Sequence, residues 1–356
     1  MARIKIKDNK ILNMLLFFIV IIFVFGCSGR KDVKDAKDNV RVGAEGMSIA
    51  FVAANPPNEL HIDASSTNDF KVLMEVRNKG AYPQPDETTR FENSRMYISG
   101  FDPDIMKLEP LDSAIGNDIS NLALDGRSDL NPYGSLDVMA FKGSIDYGRM
   151  IVERYEPILL ATLCYNYNTV AGPSVCIDPD PYSITNEKKV CQIHNFDMNE
   201  GQGGPVAVTS IQEEAFASKT SFKVIVKNVG GGDVLKLAPG DSTLDKCNPD
   251  KPGTGGAFEV SKSKVTLEDM DKVYVNEVSI SGKNLECAPF LDSPGSTRNT
   301  QGVMRLVNGE GFIICDLKKE QYGNTVSAYT TPLQIKLSYG YRTSTARKLL
   351  IIKEPS

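Results

Sequence analysis

The sequence predicts an all-β protein built from two tandem copies of one β module. Three observations carry this. Short runs alternate with the period of two expected of half-buried strands, as where Phe70, Val72, Met74 and Val76 interleave with Lys71, Leu73, Glu75 and Arg77. Gly, Pro and Asn separate the runs and supply turns, as at Asn78-Lys79-Gly80. The pattern then recurs at an offset of about 150 to 175 residues, the mark of an internal repeat. Phe222, Val224 and Val226 followed by Asn228-Val229-Gly230-Gly231-Gly232 match the first run and its turn, and Leu333, Ile335, Leu337, Tyr339 and Tyr341 match Leu159, Ala161, Leu163, Tyr165 and Tyr167.

In chain order, residues 1–27 come first. Arg3, Lys5, Lys7 and Lys10 precede the apolar run Ile11 to Gly26, which is 16 residues long. At about 1.5 Å per helical residue, that run is short for a hydrocarbon core of roughly 30 Å. A positive flank, a short apolar core and a small closing residue form the secretory pattern. The ending Val24-Phe25-Gly26-Cys27-Ser28 resembles the lipobox of prokaryotic lipoproteins, which implies lipidation of Cys27. Phe25 stands where that motif has a small residue. The other reading is an uncleaved membrane-anchor helix; either way the chain is exported and attached to the outer face of the cytoplasmic membrane or the cell envelope. Residues 28–45 alternate Lys or Arg with Asp and hold little apolar surface, so they read as a charged flexible tether.

Residues 46–180 are expected to form a first β-sandwich. Its strands are read at Met47 to Ala54, Phe70 to Arg77, Arg95 to Ser99, Leu136 to Ile145 and Ile158 to Tyr167, with a short helix admitted only between Asp112 and Leu124. Residues 181–204 are Pro, Gly and Asn rich and read as a connector. Residues 205–356 form the second sandwich. Two antiparallel sheets burying alternate residues account for the patterning, and Tyr165, Tyr167, Tyr339 and Tyr341 are assigned to core or rim packing in preference to ligand stacking.

The strand followed by Asn-x-Gly, and the later Pro-led strand ending in Tyr-x-Tyr, resemble the immunoglobulin-like modules of prokaryotic surface proteins, especially the CARDB group of bacterial and archaeal adhesion and envelope proteins. Pro173 to Tyr182 (PSVCIDPDPY) is also similar to surface proteins of small-genome archaea. This resemblance implies two tandem immunoglobulin-like sandwiches. Fold does not carry activity, so function has to be argued from sites.

With Cys27 lipidated, six cysteines remain: Cys164, Cys176, Cys191, Cys247, Cys287 and Cys315. An even set in an exported chain predicts three disulfides, whose connectivity spacing alone does not settle. Cys164 and Cys176 flank a plausible hairpin turn, Cys247 and Cys287 make a reasonable second pair, and Cys191 and Cys315 then remain. At least one bridge is expected to cross or abut the junction between the modules.

Motifs for chemistry are few. The chain has no Gly-x-Ser-x-Gly, no His-Glu-x-x-His, no Cys-x-x-Cys and no dinucleotide fingerprint. His61 and His194, its two histidines, are read as surface or loop residues. Gly201 to Gly204 and Gly230 to Gly232 are read as flexible turns. Asp178 and Asp180 offer carboxylates for calcium, the one cofactor considered, although Asp178-Pro179-Asp180 reads better as a stiff connector. A net charge of -5 with mixed signs argues against a nucleic-acid partner. The function expected is that of a non-enzymatic, membrane-attached surface protein with a structural, adhesive or protein-binding role towards another envelope or surface protein. The alternative is a substrate-binding lipoprotein that captures a small molecule or glycan at the module junction.

Overall fold

Alternating side chains become strands wherever one face of a run is buried. In the computed structural model, which describes residues 40–84, 91–112, 116–183, 188–241, 243–249, 264–293, 297–322 and 327–355, Val72, Met74 and Val76 are fully buried on one face of a ten-residue strand. Strand accounts for 50% of the described residues and helix for 3%, which makes the protein all-β. The apolar run 11–26, Cys27 and residues 28–39 lie outside the described residues. Among those described, no helix is long and apolar enough to cross a membrane.

The first half runs through β1 (Met47–Phe51), β2 (Glu59–Ile62), β3 (Asp69–Asn78), β4 (Arg95–Ser99), β5 (Met106–Pro110), β6 (Leu136–Ile145), β7 (Arg154–Tyr155), β8 (Ile158–Ala171) and β9 (Ser174–Ile177). The second runs through β10 (Phe196–Asp197), β11 (Val206–Ala215), β12 (Lys219–Asn228), β13 (Asp233–Leu235), β14 (Lys272–Ile280), β15 (Lys283–Asn284), β16 (Glu286–Ala288), β17 (Gly302–Arg305), β18 (Glu310–Lys318), β19 (Tyr329–Lys348) and β20 (Leu350–Lys353). The expected strands at Arg95 to Ser99 and Leu136 to Ile145 fall on β4 and β6. The helix admitted between Asp112 and Leu124 does not form in its described part, residues 116–124. That segment instead bonds along the edge of β4, with Met96 N–H donating to Asn117 O and Ile119 N–H to Ser94 O, while Ile119 and Leu124 are buried one at a time.

The halves repeat each other in their main strands. A sheet ordered β1-β3-β6-β5 in the first is matched by β11-β12-β18-β16 in the second, with β10 added at its edge. β3 and β12 are both ten residues long and end on Asn78 and Asn228, which face Met47 and Val206, the first residues of β1 and β11. β4 pairs with β8 as β14 pairs with β19.

β8 and β19, the matching strands, pair with each other. Tyr165 faces Tyr341, Tyr167 faces Tyr339, and Asn166 meets Gly340 at the centre. One register holds from Tyr155 opposite Ile351, through this ladder, to Ile177 opposite Tyr329. Equivalent residues facing each other across an antiparallel pair place an approximate two-fold axis at Asn166 and Gly340. The halves therefore share an eight-stranded sheet.

Val40–Ser356 is one compact unit, and a single hydrophobic cluster runs from Met47 and Val72 through Tyr165 and Tyr339 to Val224 and Ile313. Residues 46–180 and 205–356 thus contribute to a common core. The physical reason is the edge of β8: a long strand with unpaired backbone is best covered by another strand, and β19 covers it. The last tether residues also join this body. Gly43 N–H donates to Glu200 O, Gly203 N–H donates to Gly43 O, and Gly43 forms a parallel bridge with Gly201.

Candidate functional site: the junction between the halves

The shared sheet buries four tyrosines at its centre. Tyr165, Tyr167 and Tyr339 are fully buried and Tyr341 nearly so, and the facing rings lie 5.8 Å (Tyr165 to Tyr341) and 5.9 Å (Tyr167 to Tyr339) apart. Each hydroxyl accepts from the backbone of an entering strand or turn. Tyr165 accepts from Met47 N–H at 3.0 Å and Tyr339 from Val206 N–H at 3.2 Å; Tyr167 accepts from Tyr82 N–H at 3.2 Å and Tyr341 from Gly232 N–H at 2.7 Å. Burial raises the pKa of all four phenols above the usual tyrosine value, so they remain neutral. The core-packing assignment describes these residues, and their second task is to clamp both halves at matching points.

The turns beside them are equally matched. Asn78 Nδ2 donates to Tyr82 O and Leu124 O while its Oδ1 accepts from Gly80 N–H. Asn228 Nδ2 donates to Gly232 O and its Oδ1 accepts from Gly230 N–H. An Asn side chain closes its own turn in this way, which is why Asn recurs there. Gly80 has no alternative: a Cβ would sit 1.8 Å from the Tyr167 hydroxyl. The Gly-rich run at 201–204 is likewise a close approach rather than a free turn, since a Cβ on Gly201 would lie 2.4 Å from Gly43 O.

Tyr167 also donates to Gly203 O at 2.6 Å. Tyr167→Phe should therefore remove the acceptor of the buried Tyr82 N–H and one of the two donors to Gly203 O, which keeps Ala81 N–H, and is expected to cost about 2 kcal/mol of unfolding free energy. Chemical denaturation measures this; a variant with the wild-type midpoint would remove the clamp from the account.

Three disulfides close around this centre: Cys164 with Cys247, Cys176 with Cys191, and Cys287 with Cys315. The pairings considered from spacing, Cys164 with Cys176, Cys247 with Cys287 and Cys191 with Cys315, are corrected. Gly172 and Pro173 make no hairpin, because β9 carries the ladder of β8 onward along β19, and Cys164 and Cys176 do not come face to face. Cys287 lies opposite Cys315 on neighbouring strands. The expected bridge across the junction is Cys164 to Cys247, which ties β8 to the second half. Three intramolecular bridges point to an oxidising, extracytoplasmic environment.

The remaining candidates are placed as follows. Asp178 is buried, and Lys189 Nζ lies 2.5 Å from its Oδ2 and 2.8 Å from Asp180 O, so an ammonium occupies the position offered to calcium. Among the described residues no group of three or more His, Cys, Asp or Glu side chains is arranged to hold a metal ion. His61 is exposed and sits between two carboxylates, with Nδ1 2.5 Å from Glu354 and Nε2 2.9 Å from Glu59. The hydrogen bond with Glu354 is the main cause of its raised pKa. His194 is exposed and its Nδ1 bonds Gln192 O.

Glu213 belongs to none of the sequence motifs. It is 4% exposed on β11; its Oε2 accepts from Cys176 N–H at 3.4 Å, and its Oε1 has no hydrogen-bond partner among the described residues. Burial pushes its carboxyl up to about 7. The available signal was an acid at inward parity with Ile211, between Gln212 and Glu214.

A cleft of about 910 Å³ opens at the junction, between Val170 to Pro173, Pro332 and Gln334 on the sheet and Arg41, Val42 and residues 197–202 opposite. Arg41, Asp197, Glu200 and Gln334 on its walls are exposed. No protein-family model matches the chain, and no curated protein matches it.

Proposed function

We propose that the chain is a non-enzymatic, extracytoplasmic protein, attached to the membrane through residues 1–27 with Cys27 lipidated, whose two immunoglobulin-like sandwiches act together as one rigid binding or adhesive body towards another envelope protein. The observation that supports this is the unbroken β8–β19 ladder with the Cys164–Cys247 bridge across it. A fixed angle between two halves suits presentation of a surface. It suits closure around a small ligand poorly, because that needs a hinge.

The junction cleft bears on the alternative, capture of a small molecule or glycan. Small-molecule sites bury most of their ligand, and a ligand among exposed Arg41, Asp197, Glu200 and Gln334 would stay largely in water. That favours a macromolecular partner. In-envelope cross-linking of the full-length lipidated protein, followed by mass spectrometry, tests the reading. A stoichiometric envelope-protein partner is expected. Recovery of the protein alone, carrying a bound small ligand in native mass spectrometry, would overturn it in favour of the alternative.

A further inference from the structure

The first described residues, Val40 to Gly43, lie beside a loop whose two apolar tips are exposed. Arg127 joins them: its guanidinium donates to Val42 O, and its backbone N–H donates to Gly80 O at 2.7 Å. The loop, Ser128 to Gly134, follows directly and is closed by its own groups. Ser128 and Asn131 each donate N–H to the other's O at 3.0 Å, Gly134 N–H donates to Asn131 O at 3.2 Å, and Asn131 Nδ2 donates to Ser135 Oγ. Gly134 has a φ of +70°, and a Cβ there would meet Asn78 O at 1.9 Å, so the loop is seated on the end of β3. Its two turns present Leu130 and Tyr133, 98% and 82% exposed, with exposed Pro132 between them. The second half makes the same connection with the short turn Asn308-Gly309. There Val307 and Glu310 bond each other, and Gly309 O accepts from Asn228 N–H as Ser135 O accepts from Asn78 N–H. The longer loop belongs to the half that continues into residues 1–39.

We infer that Leu130 and Tyr133 form a membrane-contact loop, which enters the interfacial layer of the bilayer holding Cys27 and sets the orientation of the body above it. The inference rests on the membrane-attachment reading above and adds the surface that meets the lipid. Between Cys27 and Val40 stand 12 residues, Ser28 to Asn39. A chain spans at most about 3.5 Å per residue, so Val40 stays within about 45 Å of the lipidated cysteine, and the face around Val40 is the one the bilayer meets. Tyrosine suits the headgroup layer because its ring is apolar and its hydroxyl polar, and Leu130 supplies purely apolar area. Backbone groups are costly in an apolar layer unless paired. Here Ser128, Asn131 and Gly134 pair theirs within the loop, and Pro132 has no N–H. Two side chains bind a bilayer weakly alone, but anchoring makes the contact intramolecular and raises its effective concentration. Charge adds little: Arg30, Lys31, Lys34 and Lys37 are interleaved with Asp32, Asp35 and Asp38, and exposed Arg41 is offset by exposed Asp129.

The chain has no Trp, so Tyr133→Trp places a single fluorescent reporter on the loop. Ile151→Trp is the comparison, since Ile151 is 93% exposed but lies on the segment leading into β7 and the outer end of β8. Each full-length lipidated variant is reconstituted on phosphatidylcholine vesicles, with and without phosphatidylglycerol, and flotation reports attachment. Replacing the lipid by phosphatidylcholine brominated at carbons 6 and 7 should quench the reporter at 133 at least twofold, equally on neutral and anionic vesicles, and leave the reporter at 151 unchanged. Adding Leu130→Asp to Tyr133→Trp should abolish the quenching while the protein still floats. A floating protein whose reporter at 133 is unquenched, or quenched no more than that at 151, would overturn the inference and leave the attachment standing. Failure to float would overturn both. A photocrosslinker at position 133 that captures an envelope protein in place of lipid would also overturn it and assign the loop to the protein partner.

Discussion

Replacing both Cys164 and Cys247 with Ala is expected to lower the unfolding free energy by about 4 kcal/mol. Their bridge spans 83 residues, and closing a loop of that order restrains the unfolded chain by roughly that amount in the chain-entropy view, against about 3 kcal/mol for a 15-residue loop such as Cys176 to Cys191. In a body of this size the change corresponds to a fall in Tm of roughly 6 °C. The loss should also be local. Cys164 and Cys247 pack with Tyr97, Leu235 and Leu244 in a small second core separate from the main one, and Leu237, Val265 and Met270 lean on it. Freed of the bridge, residues 243–249 should exchange amide protons faster than β12 or β18. A variant that melts within 1 °C of the wild type, or that loosens the whole body evenly, would count against the bridge as the fastener of this layer.

The strands were legible because burial on one face imposes a period of two, and this needs no knowledge of the partner. Arg95 to Ser99 and Leu136 to Ile145 could be read to the residue for that reason. The repeat was legible through Asn78 and Asn228 and through the two Tyr-x-Tyr pairs, since a buried hydroxyl that must reach a backbone N–H constrains residue type as well as polarity. The pairing of β8 with β19 was not. Alternation records which face of a strand is buried and says nothing about which strand lies beside it, and both are decided by the global arrangement. The disulfide connectivity was hidden for the same reason, because it follows from that pairing. Gly80 and Gly201 read as turns and Gly43 as part of the tether, whereas their role is close approach between segments far apart in sequence. At the site, the junction itself was anticipated, and the crossing bridge was anticipated without its members.

Glu213 should make the protein less stable as pH rises from about 5 to 8. Its carboxyl is raised in the folded state to about 7 from an ordinary value of 4.5, so between these values the native state holds a proton that the unfolded chain releases. Stability therefore falls with rising pH across that window and is level on either side of it. The full shift corresponds to about 3 kcal/mol, and solvent screening near the surface reduces the expected loss to about 2 kcal/mol. The groups around the carboxyl explain the direction. Cys176 N–H on β9 is its only hydrogen-bond donor among the described residues, Phe222 lies opposite on β12, and Tyr322 stands near both Glu213 and the Asp178 carboxylate. His194, on the segment that also supplies Asn195 Oδ1 to the Glu213 N–H, opposes the shift without cancelling it. Glu213→Gln keeps the shape and removes the titration, so its stability should stay nearly flat from pH 5 to 8 and exceed the wild type at pH 8. His61, whose raised pKa also favours the folded state at lower pH, adds a slope of the same sign; being exposed between Glu59 and Glu354, it accounts for what remains in the variant, and His61→Gln should remove that residue of the slope. Urea unfolding of wild type and both variants at pH 5, 6, 7 and 8 separates the contributions. Parallel pH profiles for wild type and Glu213→Gln would show that the carboxyl is ionised throughout, and that the space around its Oε1 admits water.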